Sequence, residues 1–436
     1  MKKVLIISYF FPPCNLTASQ RVMGWANYLS GFGYYPIIVT RNWDIAINSP
    51  EDASLSTGID IKHEKNDRFE VYYLPFVANR RDNIYANNKH NRYLQKLSKV
   101  ITFTELIFEN YFNSAIPSIN LYEFSRRLIS ENKSIVGLII SAKPFIHFKF
   151  GYCLNKEFNI KWIADYRDDW NTSELEANKS FLLRTISIIQ ARKEKKWVST
   201  SQFITSISGV YADRVGRFVR KEGVVILNGY DGIDGAKIGK EIESDSFQIT
   251  YNGSLYSTQP IEIILEKFKN ICDNPDVKIR VQFNFPGLGF DKGQEKRVKN
   301  CLIGYENFIR ITDRIPHQDI LEIQRNSDVL LMVSHKGFKG VSSSKLYEYV
   351  GLKKSILLYP NDNDIVAETI TDTGLGIICD SEIEFHDNLL QLIFNKQDGK
   401  IEVNSVENDK VEFYSRKNQA KELAKLLDRM TKIKDK

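Results

Sequence analysis

Short apolar runs alternate with helix-period stretches along nearly the whole chain. Val4–Phe10 predicts a strand and Thr17-Ala-Ser-Gln20 a capping box. Val22, Trp25, Ala26 and Leu29 then form one apolar face of a helix that ends at Gly31 or Gly33. Runs at Pro36–Thr40, Val71–Leu74, Ile135–Ser141, Ile160–Asp165, Gln202–Ser206 and Val224–Leu227 predict further strands. A polar stretch, Asp231–Ser246, holds three glycines and alternating charge and reads as a linker. Strands then restart at Phe247–Tyr251, Lys278–Phe283, Phe308–Ile311, Val329–Val333, Ile356–Tyr359 and Gly376–Ile378, and an apolar helix, Phe413–Met430, follows. Such alternation predicts an α/β protein with two doubly wound parallel sheets, whose ligands sit beyond the carboxyl ends of the strands. Arg21, Asp165, Arg167 and Asp168 all fall just past such ends. At 436 residues, two domains are the natural expectation.

The densest local chemistry lies in Ser342-Ser-Ser-Lys-Leu-Tyr-Glu-Tyr-Val350. The serines offer an N-cap, so a helix should open at or near Lys345, with Lys345 and Glu348 three apart on one face. Leu346, Tyr349 and Val350 fall on the buried side. A helix N-terminus with a serine cap, a lysine and an inward carboxylate can grip a diphosphate and a ribose together. Backbone N–H groups and the lysine take the phosphate charge, and the carboxylate accepts the ribose diol. The same spacing also fits a plain surface Lys–Glu pair, worth a few tenths of a kcal/mol.

Five ordered stretches resemble the large family of retaining glycosyltransferases with the GT-B fold, in its bacterial surface-polysaccharide (group 1, or family 4) branch. Ser343-Ser344-Lys345-Leu346-Tyr347-Glu348-Tyr349-Val350 resembles its donor-site helix. Tyr9-Phe-Phe-Pro-Pro13 with Gln20-Arg21-Val22 resembles its N-terminal strand–loop–helix, and Ala164-Asp165-Tyr166-Arg167-Asp168-Asp169-Trp170 its Asp-x-Arg-Asp-x-Trp element. Leu227-Asn228-Gly229-Tyr230-Asp231 resembles the close of its first domain, and Tyr414-Ser-Arg-Lys417 the start of its final helix. The resemblance implies two Rossmann-like domains facing across a cleft: 1–230 binding the acceptor, 247–412 binding the nucleotide-sugar donor, 231–246 linking them, and 413–436 crossing back to the first. It implies transfer of a sugar from a UDP- or GDP-sugar to a saccharide or polyprenyl-diphosphate-linked acceptor, with retention, in capsule, O-antigen or exopolysaccharide synthesis.

On that reading Lys345, with Ser343 and Ser344 at its helix N-terminus, is the first choice for the diphosphate. Arg21 and the His335-Lys336 pair are secondary candidates. Glu348 holds the ribose, and Asn252 and Gly253 line the donor loop. Asp165, Arg167 and Asp168 are the acceptor-side candidates, where a carboxylate beside an arginine orients a hydroxyl or takes its proton. A buried Arg–Asp pair locking the strand end explains the same residues. Arg21 sits in the first turn of its helix, where the dipole disfavours a cation, which hints at an anionic partner. Two departures stand out. The family's frequent Glu-x7-Glu pair would have its first member at Gly340, and its diphosphate-holding arginine would stand at Ser254. A GT-B sugar-nucleotide epimerase and a non-catalytic sugar-nucleotide binder are the rival readings.

Net charge is +6, but residues 1–230 hold 31 lysines and arginines against 21 acids, a balance of +10, and the remainder a balance of −4. The basic residues concentrate in Asn79–Lys99 and Arg192–Lys196, and Ile101, Phe103, Leu106, Ile107, Phe108, Tyr111 and Phe112 follow the first cluster. Basic plus apolar residues on a helix suit an anionic membrane surface, and equally a solvated helix packed on its domain. The aromatics form no nucleic-acid motif, so no nucleic-acid partner is expected. Five dispersed cysteines without Cys-x-x-Cys fit a reducing cytosol, and six histidines without ligand spacing give no metal site. Pro12 and Pro13 before Cys14 argue against a lipoprotein signal peptide, and no run approaches the ~18 apolar residues of a membrane span. A cytoplasmic protein is expected, at the inner face of the membrane if the basic half docks there. No cofactor is expected: no P-loop occurs. Gly287-Leu-Gly289 with Gly293 imitates a dinucleotide fingerprint, but the spacing is wrong, Pro286 precedes it, and no acidic residue is expected at the end of the next strand.

Overall fold

The computed structural model describes residues 1–44, 47, 50–87, 92–173, 181–232, 245–400 and 408–433. They form two units, Met1–Leu227 with Arg416–Lys436, and Asn228–Ser415. Most of the expected linker, residues 233–244, lies outside the described residues.

The first unit holds β1 Lys2–Ser8, β2 Tyr34–Arg41, β3 Lys62–Lys65, β4 Glu70–Leu74, β5 Ile135–Ser141, β6 Trp162–Arg167, β7 Phe203–Ser206 and β8 Glu222–Val225. Their order is β3-β4-β2-β1-β5-β6-β7-β8, parallel except for β3. Val4–Ile7 and Leu138–Ile140 are fully buried, as strands covered by helices on both faces must be. The chain runs outward from β1 through β2, then returns to start again at β5, so the sheet's switch point lies between β1 and β5. The sequence pattern missed β3. It reads Lys-His-Glu-Lys, is exposed throughout, and forms a charged antiparallel edge without apolar alternation.

Two local expectations are corrected. Thr17 makes no side-chain cap bond and itself has helical φ and ψ, so the capping box does not form at the Ala18–Tyr28 helix. Ser19 Oγ donates instead to the carbonyls of Cys14 and Leu16, and Gln20 Oε1 accepts from Arg416 at 2.8 Å. The closing helix begins at Arg416, not Phe413, because Asn408–Phe413 forms its own short helix and Ser415 bridges to Tyr230. Arg416–Lys432 packs on the first unit. A Cβ on Gly137 of β5 would come within 2.5 Å of Met430 Cε, so glycine lets the helix lie close on the sheet.

The second unit holds β9 Ser246–Thr250, β10 Arg280–Phe285, β11 Ile309–Ile311, β12 Val329–Val333, β13 Ile356–Tyr359 and β14 Gly376–Ile378. All pairings are parallel, in the order β11-β10-β9-β12-β13-β14, so its switch point lies between β9 and β12. Its core is one cluster of aliphatic and phenylalanine side chains, including Phe268, Phe283 and Phe285.

Candidate functional site

Ligands of doubly wound sheets bind beyond the carboxyl ends of the strands where the order reverses. In the second unit this place is flanked by Tyr251–Ser254 after β9 and Ser334–Lys336 after β12. Gln259, buried, ties the two loops together: its amide nitrogen donates to the Val333 carbonyl, and its oxygen accepts from Tyr251 Oη at 3.2 Å and Tyr256 N at 2.9 Å. Gly253, at φ 76°, turns the first loop in the left-handed region that favours glycine.

The Ser344–Leu352 helix opens beside this crevice, with Ser343 as N-cap and its Oγ accepting from Lys345 N at 3.4 Å. Leu346, Tyr347, Tyr349 and Val350 are all buried. Tyr347 went unpredicted because a wide apolar face on a nine-residue helix exceeds the simple i, i+3 stripe. Tyr349 Oη accepts from Asn252 N at 3.3 Å, fixing the helix to the β9 loop. Gly351 is small for a reason: a Cβ there would lie 2.5 Å from the Tyr230 ring.

Lys345 reaches across the loop. Its Nζ donates to Ser254 O at 3.1 Å and lies 3.9 Å from the centroid of the Tyr251 ring. The ammonium thus stands over the position where the family's arginine is missing. Burial pushes its pKa down to about 7, against a smaller upward pull from Glu348. Glu348, with its side chain 12% exposed, is held from both sides. His317 Nε2 lies 2.9 Å from Oε1, and Gln324 Nε2 donates to Oε2 at 3.3 Å. A carboxylate has about four lone-pair sites, so two remain for a diol. Neither His317 nor Gln324 had a sequence signal, since each lies more than 20 residues from Glu348.

His335 is partly buried, its Nδ1 2.6 Å from Thr258 Oγ1, and burial, then Lys345, lowers its pKa. Lys336 is exposed, with its backbone N–H on the Thr258 carbonyl. Gly340, in place of the family's first glutamate, has φ 83° and gives its N–H to the Asp364 carboxylate.

Arg21 and Asp165 are brought together, but inward. Arg21 Nη2 lies 2.8 Å from Asp165 Oδ1, Nη1 donates to the Ile226 and Leu227 carbonyls, and the side chains are 3% and 0% exposed. Ser141 and Thr205 hydroxyls also donate to Asp165. The anionic partner foreseen for Arg21 is therefore Asp165, and the pair locks the ends of β5, β6 and β7 rather than facing a ligand. Arg167 and Asp168 lie outward, Arg167 at φ 53°, and Lys143 joins them.

The Gly287–Gly289 turn is closed to a dinucleotide. Asp291 caps the following helix and accepts from Gly293 N and Gln294 N, taking the N–H groups a pyrophosphate would need. β11 ends at Ile311, and Asp313, two residues past it, pairs with Lys292 at 3.0 Å.

No family model matches the chain, and no curated protein matches it by sequence. Solved structures match along its whole length. A glycosyltransferase from Rickettsia africae is 13% identical, with a TM-score of 0.57 over 99% of both chains. Sucrose-phosphate synthase from Thermosynechococcus elongatus is 11% identical, with a TM-score of 0.63 over 99% of both. HepE from Anabaena, in complex with UDP and glucose, is 12% identical, with a TM-score of 0.59 over 98% of this chain and 100% of that one. The fold is that of the GT-B glycosyltransferases. At such identities the likeness carries the fold alone, and the chemistry must be argued from the residues. Within the GT-B frame, Lys345, Glu348, Ser343, Asn252, Gly253 and His335 gather at the switch point of one unit, and Arg167 and Asp168 at the rim of the other.

Proposed function

We propose that the chain is a glycosyltransferase that takes a sugar from a UDP- or GDP-sugar, with retention of anomeric configuration. The observation that carries this reading is the Ser344–Leu352 helix: its N-terminus and Lys345 ammonium flank the β9/β12 switch point, with the braced Glu348 one turn on. The diphosphate would lie against the helix N-terminus and Lys345, which neutralise the charge that builds as the glycosidic bond breaks. Glu348 would accept the ribose hydroxyls. Asp168 would orient the acceptor; with retention, the departing phosphate oxygen itself can take the acceptor proton, so no protein base is essential. A metal-independent reaction follows from this division of labour. The HepE complex with UDP and glucose supports the choice of donor class.

The acceptor in this reading is a saccharide or a polyprenyl-diphosphate-linked sugar of a bacterial surface polysaccharide. Docking at an anionic membrane surface is supported by exposed Phe108, Tyr111 and Phe112 at the end of the Arg92–Tyr111 helix. Part of the basic cluster before it, residues 88–91 with Lys89, lies outside the described residues. Arg81 in that cluster is already paired, with Asp82 at 3.0 Å and Glu105 at 3.6 Å. No described helix is long and apolar enough to cross a membrane.

Incubation with a panel of UDP- and GDP-sugars tests the proposal. Nucleotide released together with sugar transferred to an acceptor supports it. Free isomerised sugar would make the chain an epimerase, and binding without turnover would make it a sugar-nucleotide binder.

A further inference from the structure

We propose that the carboxyl ends of β5 and β6 form an anion site that takes a phosphoryl group of the acceptor. The anion site stands on the first unit's own geometry; only its assignment to an acceptor rests on the transferase reading.

β5 borders the switch point of its sheet, and Lys143 is the second residue past its end. β6, its neighbour, ends at Arg167, followed by Asp168. Lys143 Nζ and Arg167 Nη2 both lie 3.6 Å from Asp168 Oδ2, beyond hydrogen-bond range. The three side chains are 53%, 19% and 40% exposed. Among the described residues two cations thus share one carboxylate at arm's length, one positive charge more than the carboxylate they meet, just beyond the ends of β5 and β6. Among the described residues no other carboxylate pairs with either cation. The neighbouring Asp169 is turned inward onto Arg214 at 3.4 Å.

Stability does not account for this arrangement. Loose, exposed pairs contribute little, and the Arg21–Asp165 pair below already locks the strand ends at 2.8 Å. Arg167 also occupies the left-handed region, uncommon for a residue with a side chain, and Ser206 Oγ bonds its carbonyl at 3.0 Å to hold it there. That conformation presents a guanidinium fork beside a lysine ammonium. The combination suits a phosphoryl group, met by a planar fork and a mobile point charge. Asp168 between them would accept a hydroxyl of the sugar that bears the phosphate. A soluble sugar phosphate and a polyprenyl-diphosphate-linked sugar share this chemistry.

Two measurements decide it. In the first, inorganic phosphate is titrated into the full chain and followed by phosphorus NMR, for wild type, Lys143→Gln, Arg167→Gln and Lys345→Ala, each checked for folding by thermal melt. Loss of one charge-assisted contact should weaken the site at least about tenfold in Lys143→Gln. Lys345→Ala, in the other unit, removes the donor-side phosphate contact and should leave the Lys143-dependent binding in place. Wild-type affinity in both Lys143→Gln and Arg167→Gln overturns the anion site. In the second, transfer from a working donor is compared for a free sugar, its phosphate and a short polyprenyl-diphosphate sugar. The expected result is use of a phosphorylated acceptor, whichever of the two it is, with Lys143→Gln raising its KM while donor affinity holds. Equal use of the free sugar, with Lys143→Gln without effect on any KM, overturns the acceptor assignment. Should no donor support transfer, the transferase reading fails while the phosphate titration still judges the site.

Discussion

Donor binding should be coupled to protonation of Lys345. In the free protein burial holds this lysine near pKa 7, so at pH 8 only about a tenth of it carries the charge a diphosphate needs. A bound diphosphate opposite the ammonium favours the charged form and returns the pKa toward its ordinary range. Binding at pH 8 should then take up about 0.9 proton. The sign follows directly: the ligand prefers the protonated form, so affinity is full well below pH 7 and falls as pH rises through it. Between pH 7 and pH 8.5 the protonated fraction drops from about one half to about 0.03, a loss of about 15-fold in affinity. In the free protein burial, then Lys345, lowers the pKa of His335 as well. Calorimetric titration with a nucleotide sugar, in two buffers of different ionisation enthalpy, reads both quantities. Affinity flat from pH 7 to 8.5, with no proton uptake, would falsify the placement of the diphosphate on Lys345.

Other outcomes follow from the same geometry. Glu348→Ala should weaken donor binding by about 1.5–3 kcal/mol, the worth of hydrogen bonds to a charged group; unchanged affinity in a folded variant removes Glu348 from the site. Arg21→Met should cost about 3–5 kcal/mol of stability by stranding the buried Asp165, read by denaturant unfolding, and a loss below 1 kcal/mol would contradict a locking role. His147 is fully buried, with Nε2 2.7 Å from Ser118 Oγ, and burial pushes its pKa down to about 3. The unfolded chain therefore binds the extra proton, and this histidine should lower stability by about 2 kcal/mol from pH 7.5 to pH 5. The difference between wild type and His147→Gln isolates that term, and parallel pH profiles would refute it. Turnover should survive EDTA; loss restored by a divalent ion would contradict a metal-independent reaction.

The strands were legible because those of a doubly wound sheet are continuous apolar runs between helical periods, and most observed ends fall within two residues of the predicted ones. Among the described residues only β3 escaped, a charged edge exposed throughout. The Ser344–Leu352 helix was legible because its cap, lysine and carboxylate are close in sequence. What braces it was not: Gln324 and His317 reach Glu348 across the fold, and Ser254 meets Lys345 through a backbone carbonyl that any residue would supply. Arg21 shows the converse. A cation in a first helical turn signals an anion correctly, but sequence cannot say whether the anion is a ligand or a buried aspartate. Asp165, 144 residues away, is the answer the fold gives. Lys143 carried no signal at all until β5 and β6 placed it beside Asp168.

On the proposed reading the second unit's switch point grips a nucleotide diphosphate through one helix. Crystals grown with the nucleotide sugar that binds best would test it most directly. The diphosphate should lie at the N-terminus of the Ser344–Leu352 helix, within hydrogen-bond distance of Lys345 Nζ, with the ribose hydroxyls on the Glu348 carboxylate. A nucleotide seated elsewhere, with Lys345 still on the Ser254 carbonyl and Glu348 touching only His317 and Gln324, would contradict it.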